Sequence, residues 1–286
     1  MTITVAVTGA SGFIGRHLVK QLIQSRFNVI TVQRSGISRG NASIRRADLS
    51  KPQHISPTLF RNVDVVIHAA ALVHSRLSTA KIYNTINIEA TDRLFQLAKT
   101  SNVKKFIFIS TVSVYGLNSA KVPIDINFPL DPKTPYAESK MYSEKTLLND
   151  DHKAIKVAVI RLPLVRGKGA PGNYGALEKL AKSGLPLPFS LANNRRSSVR
   201  IETVTKILVE MCENEELHLG LNLLADDPPV STKKIIEEIG ASYGISSKLF
   251  WFPKPILKTA LMLFGKKTIY DQLYEDLVFV STIRSE

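Results

Sequence analysis

The stretch Thr8-Gly9-Ala10-Ser11-Gly12-Phe13-Ile14-Gly15 decides the fold of this chain. It follows a β-branched apolar run that begins at Ile3. It leads into apolar residues that recur at helical spacing, namely Ile14, Leu18, Val19, Leu22 and Ile23. The pattern therefore predicts a strand, a glycine-rich turn and a helix, and the positive end of that helix favours an anion beside the turn.

Each glycine of this turn has its own physical reason. The first permits the tight turn, the second lets the backbone approach a pyrophosphate, and the third lets the helix pack closely on the strand. We therefore expect a nicotinamide dinucleotide to bind here. The contacts expected from the turn come from Gly9, Ser11, Gly12, Phe13, Ile14 and Gly15.

Further strands and helices alternate along the chain. Continuous apolar runs at 28–32, 63–67, 105–109 and 155–162 are typical of strands buried on both faces of a parallel sheet. Helical patterns at 82–97 and 135–148 indicate crossovers between them. The sequence thus predicts an α/β fold, a doubly wound parallel sheet or Rossmann domain over 1–165, followed by a smaller α/β substrate-binding region over 166–286. To that region we assign helices at 202–213 and 231–243 and a strand at 220–224.

Composition limits the classes of partner. The net charge of +14 favours an anionic ligand, but the chain carries no nucleic-acid-binding motif, so we expect no nucleic-acid partner. Cys212 is the single cysteine, which excludes an internal disulfide and gives no reason to expect a metal. The N-terminus has no pattern of a signal peptide, and we expect a cytoplasmic protein.

An apolar stretch at 255–264 is too short for the ~20 residues that span a bilayer, so we expect no membrane span. We expect a helix packed on the core, with its flanking lysines in solvent. A helix lying at a membrane surface is the weaker alternative. The lysines concerned are Lys254, Lys258, Lys266 and Lys267.

Tyr136-Ala137-Glu138-Ser139-Lys140 places a phenol and an ammonium one helical turn apart. A neighbouring ammonium and a cationic nicotinamide stabilise the phenolate, so Tyr136 is suited to exchange a proton with a carbinol or carbonyl oxygen. Lys140 is also suited to bind the nicotinamide ribose. Ser110-Thr111-Val112-Ser113-Val114-Tyr115-Gly116 ends a predicted strand, at the edge where open α/β sheets bind ligands.

These motifs and the Gly-x-x-Gly-x-x-Gly spacing resemble the extended short-chain dehydrogenase/reductase family, in its NAD-dependent epimerase/dehydratase group of UDP-galactose 4-epimerase-like nucleotide-sugar enzymes. The resemblance implies catalysis by Thr111, Tyr136 and Lys140, with Ser113 as a weaker substrate contact. It implies that Asn87 supports the lysine through water. Further implied cofactor contacts are Asp48, Leu49, Ala69, Ala70, Ala71, Asn87 and Pro163.

The resemblance also implies a UDP-sugar substrate, held by Asn173 and by Arg196 as a diphosphate clamp. Val112-Ser113 follow the catalytic threonine where a sugar dehydratase has Asp-Glu, which argues against dehydration. A 4-epimerase with retained NAD and a 4-keto reductase with exchangeable NADPH both remain. A non-catalytic NAD(P)-binding regulatory protein is the alternative from another class, although such binders commonly lose the Tyr/Lys pair.

The choice between NAD and NADP depends on the window Val32-Gln33-Arg34-Ser35. It has no carboxylate for the adenine ribose, and Arg34 is placed to pair a 2′-phosphate, which favours NADP; a solvated arginine is the alternative. The resemblance implies a homodimer through helices around 82–100 and 135–148. Residues 277–284 resemble the stretch before a final Leu-Gly-Trp-x-Pro segment, which implies a shortened tail and an incomplete substrate lid.

Overall fold

The computed structural model describes residues 2–36, 41–73, 79–149 and 155–283. Within these ranges seven parallel strands form one sheet in the order β3-β2-β1-β4-β5-β6-β9, and β7 pairs with β8 separately. The strands are β1 Thr4–Thr8, β2 Asn28–Gln33, β3 Ser43–Arg46, β4 Val65–His68, β5 Lys105–Thr111, β6 Lys156–Leu162, β7 Leu164–Arg166, β8 Ser198–Arg200 and β9 Gly220–Leu223.

Helices cover both faces of the sheet, because its central strands are apolar on both sides. Leu18 and Leu22 of one helix pack with Leu208 on one face, whereas Leu94 and Leu147 lie in the cluster on the other. The helices are α1 Phe13–Gln24, α2 Ala80–Tyr83, α3 Ala90–Thr100, α4 Pro135–Asn149, α5 Gly172–Lys182, α6 Ile201–Glu213, α7 Thr232–Ser242, α8 Lys254–Leu263 and α9 Lys267–Tyr274. The doubly wound α/β fold predicted from the sequence is confirmed.

The sheet is larger at both edges than the sequence pattern indicates. β3 is a short, polar edge strand that pairs with β2, and its Ser-Ile-Arg-Arg sequence carries no apolar run. β9 pairs with β6, with Gly220 opposite Ala158, and α6 packs against α1. The sequence pattern placed α6 and β9 in the second region, because the order of elements along the chain does not reveal which strand β9 pairs with. The division at 165/166 stays a prediction.

The remaining elements surround a separate apolar cluster, in which α5 and α7 pack through Leu177 and Ile236 with Tyr270 and Tyr274 of α9. The expectation that 255–264 packs on the core is wrong for most of α8. Every residue of α8 is at least partly exposed, because only Leu257 and Leu261 face this cluster. No helix among the described residues has the length and apolar character to cross a membrane.

The end of the described chain returns to the sheet. Residues 277–283 form bridges with Ile124 and Arg196, and Thr282 donates its backbone N–H to the Leu223 carbonyl of β9. Phe279 stacks on Tyr115 with 5.7 Å between ring centroids. This segment therefore supports the turn that follows β5, which carries the predicted substrate contact Ser113.

Candidate active site

The glycine turn connects β1 to α1 and is packed against the loop after β4. Gly9 has a φ of +69°, and a Cβ there would lie 2.6 Å from the Ala70 nitrogen. A Cβ on Gly15 would lie 2.1 Å from the Gly9 carbonyl oxygen. Only glycine fits at these two positions, because the contacting atoms are backbone.

Gly12 is the N-cap of α1 and is exposed. It has no side chain to satisfy the first-turn N–H groups, which have no partner within a helix by geometry. Ser11 beside it is also exposed, and the first turn of α1 carries no carboxylate. Together with the helix dipole, this arrangement fits the pyrophosphate of a dinucleotide.

His68 fixes the loop that carries Ala69, Ala70 and Ala71. Its Nδ1 lies 2.6 Å from the Thr8 hydroxyl and its Nε2 lies 2.9 Å from the Thr91 hydroxyl. The Ala70 N–H donates to the Thr8 oxygen at 3.2 Å. Complete burial, with Lys140 a smaller cause, lowers the pKa of His68 to about 3, so the ring is neutral. The sequence motifs gave this histidine no role.

Asp48, another predicted cofactor contact, is held in place by Ser50. Its carboxylate accepts from the Ser50 hydroxyl at 2.8 Å and from the Ser50 N–H at 3.0 Å. These hydrogen bonds, opposed by slight burial and assisted by the charges of Arg34 and Lys51, lower the pKa of Asp48. Arg34 is exposed after β2, and Leu49 packs on the core beneath. Their contacts with a cofactor stay predictions.

Thr111 and Tyr136 are brought together from β5 and α4. Thr111 is the last residue of β5, Tyr136 lies in the first turn of α4, and their side chains are hydrogen-bonded. Burial raises the pKa of Tyr136 to about 12, and the bond with Thr111 opposes that shift. Thr111 also donates to the exposed Ser113 hydroxyl at 3.1 Å. The phenol is therefore protonated at neutral pH without a further cation.

Lys140 lies one turn along α4 from Tyr136. Its ammonium donates to the Ile109 carbonyl at 2.7 Å and lies 4.1 Å from the centroid of the Phe108 ring. Burial lowers its pKa to about 7, and the charge of Glu144 opposes the shift. The lysine is thus held against β5 as a buried group whose charge depends on small changes around it.

Asn87 lies in a π-helical turn, Asn84–Glu89, between α2 and α3. Its amide accepts from the Leu72 N–H at 2.8 Å and donates to the Leu72 carbonyl at 3.0 Å and to Ser139 at 2.9 Å. Asn87 therefore connects the loop after β4 to α4. Its implied support of the lysine through water stays a prediction.

A buried ionic cluster behind the site escaped sequence analysis. Arg161 of β6 donates to both carboxylate oxygens of Glu144 on α4 and, at 2.8 Å, to the Tyr115 hydroxyl. Ser110 donates to the same carboxylate. The cluster joins β5, β6 and α4. The only sequence signal was a charged residue within an apolar strand, at Arg161.

Two of the predicted substrate residues, Arg196 and Asn173, contact α9 and are remote in sequence from Tyr136. Arg196 donates through Nη1 to the carbonyls of Asn118, Asp271 and Glu275 at 3.1, 3.2 and 3.0 Å. Burial lowers its pKa to about 10, which leaves it cationic at neutral pH. Asn173 is exposed and donates to Gln272 at 3.2 Å. Pro163, the predicted nicotinamide contact, is buried after β6.

Comparison with known proteins identifies the family of this chain. The model of the NAD dependent epimerase/dehydratase family matches residues 5–216. The chain belongs to this family. UDP-glucose 4-epimerase of Vibrio cholerae is 29% identical over 281 residues, which cover 94% of this chain and 85% of the relative.

Two other proteins are similar to this chain over most of its length. N-acetyl-alpha-D-glucosaminyl-diphospho-ditrans,octacis-undecaprenol 4-epimerase of Escherichia coli O157:H7 is 25% identical over 259 residues, covering 90% of this chain and 77% of the relative. The solved structure of MoeE5 in complex with UDP-glucose and NAD has a TM-score of 0.74 and 22% identity, covering 98% of this chain and 90% of that one. Membership in the NAD dependent epimerase/dehydratase family confirms the resemblance that the glycine spacing and the Tyr136 motif indicated.

Proposed function

We propose that this protein is an NAD-dependent UDP-sugar 4-epimerase. The observation that carries the proposal is the hydrogen-bonded pair of Thr111 and Tyr136, with buried Lys140 one turn further along α4. This group stands at the carboxyl end of β5, the edge of the sheet where the glycine turn also lies. The name of the Vibrio cholerae relative supports the substrate class.

The reaction requires one group that accepts the proton of the reacting sugar hydroxyl and one that hydrogen-bonds its oxygen. Bound NAD supplies a reversible hydride acceptor for the carbon that bears the reacting hydroxyl. Tyr136 takes the hydroxyl proton and later returns it, and Thr111 holds the same oxygen by a hydrogen bond. Lys140 supplies the positive charge that lowers the cost of forming the phenolate. Val112 and Ser113 provide no acid and base pair for dehydration.

For the cofactor we propose NAD, with its pyrophosphate at the cap of α1. The family description supports NAD over the NADP that Arg34 favoured. Mass spectrometry of the nucleotide released from denatured protein, followed by titration of the emptied protein with NADH and NADPH, tests the choice. Co-purified NAD supports the epimerase. Empty protein that prefers NADPH supports the 4-keto reductase, and failure to bind either would remove the proposal.

For the substrate diphosphate we propose the Nη2 side of Arg196, since Nη1 is engaged with three carbonyls. Asn173, which donates to Gln272 of α9, is proposed as a second contact. A sugar carried on a lipid diphosphate is the second candidate substrate. The name of the Escherichia coli relative supports this second candidate. So does α8, which packs on α9 and leaves an apolar face exposed.

Turnover of the full chain tests the reaction. We expect interconversion of UDP-glucose and UDP-galactose, or of their N-acetylated analogues, without added cofactor. Tyr136→Phe should lower kcat by at least about 100-fold because the proton acceptor is removed. Tyr142→Phe, at an exposed position of the same helix, is the matched control and should leave kcat unchanged.

If the wild-type protein binds NAD but shows no turnover, the result would favour a non-catalytic NAD(P)-binding regulatory protein. Turnover only of a sugar carried on a lipid diphosphate would favour the second candidate substrate.

We further propose a homodimer through α2, α3 and α4, on which Ile82 and Tyr142 are exposed. Sedimentation equilibrium of Tyr142→Arg against wild type tests it, and an unchanged dimer would exclude this face.

A further inference from the structure

Large apolar side chains are exposed along one continuous segment, 250–264, that leads into and through α8. Leu263 is 83% exposed, Phe264 78%, Trp251 64% and Ile256 59%. Ile256 and Leu263 are seven residues apart and therefore share one face of the helix, whereas Leu257 and Leu261 face the apolar cluster under α9. Side chains of this size and number rarely remain in water on a monomeric protein.

Positive charge predominates around this face. Residues 244–270 contain five lysines and no Asp or Glu. Lys267 pairs with Asp271 at 2.5 Å and Lys258 with Glu275 at 3.7 Å, both acids lying beyond this range. Lys248 and Lys266 are exposed. We call the exposed apolar residues of 250–264 and these five lysines the α8 surface.

We propose that the α8 surface docks the protein on an anionic lipid bilayer. A short helix with an exposed apolar face, flanked by lysines and by Trp251, has the composition that lies at the interface of headgroups and acyl chains. Long lysine side chains reach the headgroups while their stems cover apolar surface. The inference goes beyond the proposed reaction and does not depend on it.

A second copy of the chain suits this surface less well. A two-fold contact would bring the same patch of both subunits together, and with it the lysines of both. Like charges brought together at an interface oppose association. An anionic membrane can bury the apolar face and also attract the lysines.

Docking through α8 would also bring the substrate side of the protein toward the membrane. α8 packs on α9, and Lys258 pairs with Glu275, which follows α9. The carbonyl of Glu275 accepts from Arg196, the proposed diphosphate ligand. A single residue, Glu275, therefore connects the membrane-facing helix to the residue proposed to bind substrate.

Vesicle flotation of the full chain without substrate tests the proposal. We expect binding to vesicles of phosphatidylcholine with 30% phosphatidylglycerol at physiological salt, and much weaker binding to pure phosphatidylcholine. Leu263→Glu should lower the partition coefficient by roughly tenfold or more, because it places a charge on the inserted face. Val122→Glu, at an exposed apolar residue outside the α8 surface, should bind as wild type does.

A matched pair of double variants separates local from overall charge. Lys254→Glu with Lys266→Glu should lose roughly tenfold or more in partitioning. Lys20→Glu with Lys81→Glu, at exposed sites on the dinucleotide domain, changes net charge equally and should lose far less. Equal losses in the two pairs would overturn the proposal. So would absence of vesicle binding, or a dimer in solution that Leu263→Glu dissociates. Because no turnover is measured, these results stand whether or not the proposed reaction is found.

Discussion

Arg161 on β6 donates to both carboxylate oxygens of Glu144 on α4, and both side chains are at most 3% exposed. Glu144 lies one turn beyond Lys140 on α4, the helix that also carries Tyr136. A buried ion pair of this kind fixes the register of α4 against the sheet. Its removal from one side would leave an unpaired charge in the core.

Glu144→Gln should therefore lower the free energy of unfolding by about 3–5 kcal/mol, because Arg161 loses its counter-charge. Urea denaturation measures the change. Glu210→Gln is the control, since Glu210 pairs with Lys206 at 3.8 Å on the exposed side of α6 and should cost less than about 1 kcal/mol. Equal losses in both variants would contradict a structural role for the buried pair.

Two glycines of the β1–α1 turn should respond differently to a methyl group. Gly15→Ala should destabilise the protein by at least about 3 kcal/mol, because its Cβ would overlap the Gly9 carbonyl. Gly12 has a φ of −71°, which any residue can adopt, and a Cβ there would have its nearest contact at 3.1 Å, so Gly12→Ala should fold. Its methyl group would stand where the pyrophosphate approaches, and we expect at least about tenfold weaker NAD binding.

Thermal unfolding and NAD titration by calorimetry distinguish these outcomes. Gly184→Ala is a control at a residue with positive φ and open surroundings, and it should cost only about 1 kcal/mol of backbone strain. Unchanged NAD affinity in folded Gly12→Ala would show that the pyrophosphate binds elsewhere.

The sequence predicted the central sheet well because its strands are apolar on both faces and its glycine turn has a specific spacing. β3 escaped prediction because an edge strand needs no apolar run, and Arg45 and Arg46 are among its four residues. β9 was found as a strand but assigned to another region, since its pairing with β6 is a contact between distant parts of the chain.

The candidate site shows the same division. Tyr136 and Lys140 could be placed together from their spacing on one helix, and Thr111 from its position at a strand end. The pairing of Glu144 with Arg161 could not be predicted, because no local sequence pattern connects residues of α4 and β6. The pKa of Tyr136 also differs from the simple expectation: burial raises it to about 12, and Lys140 instead donates to the Ile109 carbonyl.

His68 should make the protein sensitive to acid. Its pKa is about 3 when folded and near 6.5 when unfolded, so between these values the unfolded chain binds the extra proton. Stability from this group is present above pH 6.5 and is lost as pH falls toward 3. The loss is on the order of 4 kcal/mol over that range.

Urea denaturation between pH 7 and pH 4 measures the effect. His68→Asn should be less stable than wild type at pH 7, because it loses the bond to Thr91, but the difference should narrow as pH falls. His54→Asn, at an exposed histidine, should follow wild type throughout. A constant difference between His68→Asn and wild type would exclude a neutral His68.

Lys140 should make the stability of the protein depend on pH in the alkaline range. Burial lowers its pKa from 10.5 to about 7, so between these values the unfolded chain holds a proton that the folded chain has released. The unfolding free energy of wild type should therefore rise with pH from 7 toward 10.5, relative to Lys140→Met, which has no such group. Lys145→Met, at an exposed position of the same helix, keeps Lys140 and should show the same rise as wild type.

The same variants separate the positioning of α4 from catalysis. Lys140→Met should abolish measurable epimerisation, since the phenolate of Tyr136 loses its nearby cation, while Lys145→Met should retain it. The fold of Lys140→Met should persist, because methionine fills the space against Phe108 and the buried ammonium is removed. Retained turnover in Lys140→Met with the pH trend lost would mean that the lysine orders α4 but takes no part in proton transfer.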